Sequence, residues 1–497
     1  MLGLRALFTA AAVGAIATAG YLPAINHDVP FRYNARRQVD NGTSGSFHGP
    51  YNTKGRDIVD SRGEKVTWAG GKFHSGVVYS FRRLHHMNFY PKSMLIALVN
   101  WPMSGETMIP EGLEWASAEE ILDDIKSVGF NYIRMGYAIE MIDQVYDRNG
   151  EDVPLEVAMI HALGYVNGTK VTNEIIAKNP GWTTQTTRFE IWSDVTRIAA
   201  TKGIFISPDV HVGKAQWCCS HTDGNAWFDD LNFNATHWRR GLSYVAKWAQ
   251  DHPNIVSMSL RNELRESYNV TNLYYNWDTL VGNMTAGADA IHAANPDILI
   301  LWSGMQYAQD LSALTSGANL NTAPCYKCTA IRDAARREPK HFSVDDHAWA
   351  HKLVWELHLY SMSEDIDTGT CDIVKANFYR NGFNALGIDA PAACNITNDC
   401  PKATRQTPVI LSEFGSAQDE TLFNNTLQNC LKEYTVENGI SWMMWGVAGS
   451  YRIRSGVQGF NDTWGMTKGD WSGWLYERGV EEFWKPWVKS MGVTKIV

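Results

Sequence analysis

Two glutamates close apolar runs in this chain. Glu263 ends Val256-Ser257-Met258-Ser259-Leu260-Arg261-Asn262-Glu263, and Glu413 follows Pro408-Val409-Ile410-Leu411-Ser412. Two carboxylates projecting from strand ends into one cleft can divide the roles of acid and nucleophile, which is the minimal equipment for breaking a glycosidic bond. Other polar residues stand at comparable positions: Arg134 after Tyr132-Ile133, His211 after Asp209-Val210, His358 and Tyr360 after the run 353–357, and Trp445 at the end of 440–445. Taken singly, each has a plainer reading. A strand-end glutamate is commonly ion-paired, Arg134 could complete a structural ion pair, and His211 and His358 could be satisfied core histidines or, with His347 and His351, metal ligands. His347-x-x-x-His351 suits one helical face, but no acidic third ligand stands at motif spacing, so no metal and no cofactor is expected. Trp442 competes with Trp445 as a surface for a sugar ring, and Trp101, Trp217 and Tyr451 are secondary candidates.

What positions these residues is an alternation of short apolar runs with amphipathic stretches. Residues 66–69, 132–135, 204–208, 255–260, 298–302, 353–357, 409–411 and 440–445 read as strands, and 118–127, 189–201, 238–250, 273–294 and 421–436 as helices. Near-continuous apolar strands separated by helices predict a parallel sheet buried on both faces. Eight of them predict closure into a (β/α)8 TIM barrel, with every strand end on the face where barrels build their sites. The long stretches 325–350 and 362–407, which contain cysteines, are expected to be loops over that face, narrowing the cleft.

The whole chain sets the context. Its 497 residues are 44% apolar and 20% charged, as expected of a folded globular protein. A net charge of -9 gives no basic footprint for nucleic acid or an anionic membrane and suits a neutral ligand. Twenty tryptophans and twenty tyrosines leave aromatic surface for stacking on sugar C–H faces, although most are expected simply to pack. Residues 1–19, with Arg5, an alanine-rich apolar stretch and small residues at Ala17 and Ala19, read as a signal peptide too short to span a bilayer. A polar lead over 20–50 is then expected to precede a single barrel domain at 51–497. Asn-x-Ser/Thr acceptors at Asn41, Asn167, Asn234, Asn269, Asn283, Asn395, Asn424 and Asn461 agree with a secreted, N-glycosylated protein. Eight cysteines then read as disulfides; Cys325-Tyr326-Lys327-Cys328 could also be a metal or redox pair.

One segment does not fit. Residues 71–98 carry Lys72, Arg82, Arg83, Lys92 and three histidines but no acidic residue, and they interrupt the first strand and its loop. Joining Val66-Thr67-Trp68-Ala69-Gly70 to Val99-Asn100-Trp101-Pro102 restores an uninterrupted strand, and Gly71-Lys72-Phe73 can be encoded by a consensus intron donor. The stretch therefore reads as a retained intron, with a surface insertion or a partner-binding loop as alternatives.

In their order along the chain, Arg134, His211, Asn262-Glu263, His358-x-Tyr360, Glu413 and Trp445 resemble the pattern of glycoside hydrolase family 5, the cellulase family, over roughly residues 61–487. One departure is Leu264, where cellulases of this family usually have proline. Arg261-Asn262-Glu263-Leu264-Arg265, with residues 442–451 and Arg454-Ser455-Gly456, is similar to a subgroup found in plants and fungi. The resemblance implies a retaining glycosidase. Glu413 would attack the anomeric carbon, held ionised by Arg134 and Tyr360. Glu263 would act as acid and then base, its pKa raised by repulsion from Glu413. Asn262 would bind the sugar 2-hydroxyl, His211 and His358 would position sugar and carboxylates, and Trp445 would form the floor. A carbohydrate substrate and a monomeric chain free of the membrane after signal cleavage follow. A non-catalytic carbohydrate-binding protein, a transglycosylase and a metal-dependent barrel hydrolase are the rival readings.

Overall fold

The computed structural model describes residues 49–63, 65, 97–102, 105–360, 371–394 and 400–491. Eight parallel strands close on themselves: β1 (Ala97–Trp101), β2 (Tyr132–Ala138), β3 (Phe205–Val212), β4 (Ser257–Ser259), β5 (Leu299–Ser303), β6 (Leu353–Leu359), β7 (Val409–Phe414) and β8 (Ser441–Trp445), with β8 pairing back onto β1. Helices α1 (Ala118–Val128), α2 (Arg188–Thr201), α3 (Ala235–Ala249), α4 (Trp277–Ala294), α5 (Cys371–Asn381) and α6 (Thr426–Asn438) cover the outside. The starts of α1 and α2 are fixed by capping boxes, Ser117 with Glu120 and Thr187 with Glu190, each worth about 1 kcal/mol. At the end of α1, Gly129 takes φ 101°, and a side chain there would meet Val488 at 2.8 Å.

Alternate strand residues face the barrel axis, and their chemistry changes from base to mouth. Tyr132, Phe205, Val256, Leu299, Leu301, Val354, Ile410 and Met443 form an apolar layer at the base, and Tyr51 joins it. Lys352 Nζ holds the Tyr51 carbonyl at 2.7 Å, beside a short hairpin of Asn52–Lys54 and Asp57–Val59. Two residues further along the same strands stand Arg134, Ser207, Ser303, Glu356 and Ser412, and beyond them Asp209 and His358. Hydroxyls bridge the layers: Ser257 bonds Ser207 at 2.9 Å and also Tyr132, while Ser259 donates to Glu356.

The first strand is built from Ala97–Trp101, so Ala97 and Leu98, expected to lie in the interruption, pair with Trp442 and Met443. Residues 66–69 and 71–96 lie outside the described residues, as do residues 1–19, expected to be a signal peptide, and all but the last two residues of the polar lead at 20–50. The segment 325–350 is not a loop over the mouth. It runs down α4, with Thr329 N on Tyr275 O at 2.7 Å, Lys340 on Asp278, and Trp349 Nε1 on Asp289 at 2.8 Å. Lacking helical periodicity, it substitutes for a helix by packing Phe342 and Trp349 onto Trp302. Only its beginning reaches the rim, where Lys327 meets Tyr268. In the stretch 362–407, residues 371–381 are the barrel helix α5; 361–370 and 395–399 lie outside the described residues. Three helices that the sequence pattern did not reveal, Ile139–Asp147, Leu155–Leu163 and Tyr165–Lys178, separate β2 from α2. They meet a hairpin of β9 (Ser450–Arg454) and β10 (Val457–Asn461), where Gln458 bonds Leu163 O at 3.1 Å and Asn167 at 2.7 Å.

All eight cysteines are paired: Cys218–Cys219, Cys325–Cys328, Cys371–Cys430 and Cys394–Cys400. Cys325-x-x-Cys328 is thus a disulfide, and among the described residues no helix is long and apolar enough to cross a membrane. Cys371–Cys430 ties α5 to α6 across a sequence separation of 59, the widest span of the four. Closing a loop of that length restricts the unfolded chain most. Cys371→Ser/Cys430→Ser is expected to lose about 4 kcal/mol in urea unfolding, against about 2 kcal/mol for Cys394→Ser/Cys400→Ser.

Candidate active site

Arg134 sits in register with Asn100 on β1 and Ser207 on β3, and its guanidinium is buried at the barrel mouth. Nη1 donates to Asn100 Oδ1 at 3.0 Å and Glu413 Oε2 at 2.8 Å; Nη2 donates to Asn262 Oδ1 at 2.8 Å and lies 3.0 Å from Asp209 Oδ2. Asn100 in turn donates to Met444 O at 3.1 Å, fixing β1 to β8. Asp209, absent from the sequence-derived set, also accepts from His211 Nδ1 at 2.9 Å. Gly136 faces that imidazole: a side chain there would stand 3.2 Å from His211 Cβ.

The two glutamates meet from opposite sides. Glu413 accepts from Tyr360 Oη at 2.7 Å in addition to Arg134. His358 pairs in register with Glu413, and its Nδ1 stands 3.1 Å from Glu263 Oε1 and 3.9 Å from Glu413 Oε1. One oxygen from each glutamate and a His358 nitrogen lie within 4.8 Å of one another. Glu263 has a left-handed backbone, φ 42°, a conformation costing about 1–3 kcal/mol that surrounding bonds must hold. Arg265 supplies one, Nη1 to the Glu263 carbonyl at 2.7 Å.

Charge is sorted by burial and partners. Burial opposes ionisation of Asp209, yet Arg134 and His211 bring its pKa down to about 2. Burial also works against Arg134, but Asp209 and Glu413 hold its proton more firmly than usual. Burial lowers His358 to about 4, leaving a neutral imidazole near pH 7. Glu263 is raised above the ordinary carboxyl range by burial, with Asp209 adding and Arg265 opposing. The expected cause, repulsion by Glu413, is therefore replaced by desolvation. Glu356, deeper in the axis, is pushed by burial up to about 7 against the pull of Arg134.

The remaining candidates separate. Trp445 is half-buried beside His211, with ring centres 5.6 Å apart and planes 18° from parallel, and it lines a pocket with Trp101, Arg134, Trp217 and Cys218. Trp442 is core, fully buried 4.3 Å from Trp487. Trp101 is buried, its Nε1 on Glu111 O at 3.0 Å. Tyr451 is buried with its hydroxyl on Asp462 at 2.7 Å and its ring 4.9 Å from Trp217, which it supports. His347 stacks on Trp349 and His351 faces His292, both in the segment along α4 and outside the cleft. Among the described residues, two donor groups are close enough to hold a metal ion, Glu263–His358–Glu413 and Cys218–Cys219–Glu263. In the first, Arg134 already balances charge at 2.8 Å from Glu413; in the second, the sulfurs are bonded to each other.

Residues 99–450, which include every residue of this cluster, match the family described as Cellulase (glycosyl hydrolase family 5). The chain belongs to glycosyl hydrolase family 5. It is 30% identical over 386 residues, 76% of its length, to a glycosyl hydrolase 5 family protein of Chamaecyparis obtusa, of which it spans 60%. It is 22% identical over 440 residues to an endoglucanase of Paenibacillus polymyxa, covering 86% of this chain and 85% of that one. Its fold is similar to that of an endocellulase from Pyrococcus horikoshii solved with cellotetraose, with a TM-score of 0.56 at 16% identity, covering 90% and 99% of the two chains.

Within this family 5 chain the arginines around Asn262-Glu263 have a visible task. Arg261 donates to His211 O and Asn225 O, each at 2.6 Å, and Arg265 to Ser220 O at 2.9 Å and to Asp223. Both bind the loop after β3 against the end of β4. Sequence reading missed Asp209, Asn100 and this loop; the signals available were an Asp two residues before His211 and two adjacent cysteines.

Removing Arg134 strands two buried carboxylates. Arg134→Met is expected to cost about 3–5 kcal/mol in urea unfolding, and Arg134→Met/Asp209→Asn less than the sum of the single losses; additive losses would show no coupling. For His358, the unfolded chain takes up a proton below about pH 6.5 that the buried ring refuses until about pH 4. Stability therefore falls as pH drops through that window, by on the order of 3 kcal/mol for this group. His358→Gln is expected to flatten that slope relative to the unsubstituted protein.

Proposed function

We propose that this chain is a secreted retaining β-glycosidase that hydrolyses a β-linked oligo- or polysaccharide by double displacement. The observation that carries the reading is the contrast between two carboxyl groups whose nearest oxygens lie within 4.8 Å. Retaining enzymes hold the pair roughly 5–5.5 Å apart, and inverting ones roughly 6.5–9.5 Å to admit a water. Glu413, with Arg134 and Tyr360 donating to its two oxygens, attacks the anomeric carbon from one face. Glu263, its proton favoured by burial, protonates the leaving oxygen and afterwards deprotonates water. Asn262 offers Nδ2 to the 2-hydroxyl while Arg134 holds its Oδ1. His211 positions the sugar, neutral His358 hydrogen-bonds the acid, and Trp445 provides the floor. The name endoglucanase on a relative makes β-glucans the first substrates to test.

Glu413→Gln is expected to lower turnover of an aryl β-glycoside by about 10⁴-fold or more with the fold intact. Substantial residual activity would assign the nucleophile elsewhere. NMR of the first product should show the β-anomer; an α-anomer would overturn retention. Because Glu263 works in its protonated form, kcat/KM should decline on the alkaline side as that proton is lost, and Glu263→Gln should remove this limb.

A further inference from the structure

The loop after β3 places the adjacent pair Cys218–Cys219 inside the cleft. Asn262 Nδ2 stands 3.8 Å from Cys218 Sγ and 3.6 Å from Cys219 Sγ, and a Glu263 carboxyl oxygen lies within 4.8 Å of both sulfurs. Both cysteines are half-buried, and Cys218 lines the pocket with Trp217 and Trp445. A disulfide between neighbours is one small ring with no donor, weak acceptors and polarisable surface. Its place is enforced from both sides. Arg265 binds Ser220 O, directly after the pair, and the Glu263 carbonyl with the same guanidinium. Before the pair, Trp217 lies under Arg454, 3.9 Å from its ring centre, and Gly105 packs so closely on the Gln216 backbone that a side chain would stand 2.5 Å from it.

Asn262 has its Oδ1 committed to Arg134, so its amide cannot rotate, and Nδ2 faces sulfurs that satisfy it poorly. A sugar hydroxyl arriving there gains a good donor, and the space around that hydroxyl ends at the disulfide. We propose that Cys218–Cys219 is a substrate-contacting wall of the subsite where the bond is cut, admitting pyranosides whose C2 substituent is no larger than a hydroxyl. This inference rests on the hydrolase reading above and adds a specificity determinant to it.

The test loads the protein with aryl 2-deoxy-2-fluoro β-gluco- and β-mannosides, whose fluorosugar should remain on Glu413. The loaded protein is then treated with tris(carboxyethyl)phosphine, and freed thiols are counted by alkylation and mass spectrometry. The sugar should slow reduction of Cys218–Cys219 by about tenfold and leave Cys325–Cys328 unchanged. A full adduct on Glu413 with unaltered Cys218–Cys219 reduction overturns the wall alone. No adduct from any fluoroglycoside overturns the hydrolase reading, and the wall with it. Independently, Cys218→Ala/Cys219→Ala should raise KM for a 2-hydroxy aryl glycoside more than it lowers kcat. It should also raise the kcat/KM ratio of 2-acetamido to 2-hydroxy substrate by about tenfold, whereas Cys325→Ala/Cys328→Ala does neither. An unchanged ratio overturns the size limit.

Discussion

A single buried cation organises the mouth of this barrel. Arg134 touches Asn100, Asp209, Asn262 and Glu413, so one planar group fixes the separation of β1, β3, β7 and the end of β4. Burying that charge is costly, and it is tolerable only because Asp209 and Glu413 flank it while the neutral amides of Asn100 and Asn262 each accept one more of its N–H groups. A lysine could not replace it, since four acceptors from different directions require the fork of a guanidinium. The ends of the neighbouring strands carry one another: His211 is aimed by Asp209, Asn262 by Arg134, Tyr360 by Glu413.

The surroundings of the two glutamates differ through connectivity. Glu413 leaves β7 at an irregularity in its register with β6, which brings it opposite His358 and onto Arg134. Glu263 lies past the end of β4, turned by its own backbone and held by Arg265, so its carboxyl is buried beside a neutral imidazole. The Arg261…Arg265 spacing, with Leu264 between, thus belongs to a clamp on the β3 loop, and Leu264 itself is fully buried.

Strand ends were legible because inward-facing residues repeat every second position, so a polar residue closing an apolar run announces its face. Asp209 escaped because the apolar run read as the third strand stops at Pro208, whereas β3 continues to Val212 and gives Asp209 the same parity as His211. The segment 325–350 escaped because it covers β5 and β6 through individual aromatic contacts, Phe342 on Trp302 and on Trp355, which leave no period in a sequence. Of the helices between β2 and α2, Tyr165–Lys178 was hidden because apolar Tyr165 and Val166 stand exposed in it while Gly168 and Thr172 are buried, which blurs the apolar period. The source of the Glu263 shift could not be read either, since burial depends on loops that converge only in three dimensions.

The layering along the barrel axis has an electrical consequence. Below the charged mouth lies a hydroxyl layer, and below that an apolar plug to which Tyr51 adds its ring. Such a base offers almost no dielectric response, so the field of Arg134 and its carboxylates is screened only on the open side. The closed end works as an insulator, so the field of this cluster reaches farthest through the open mouth, the face from which a ligand would meet it.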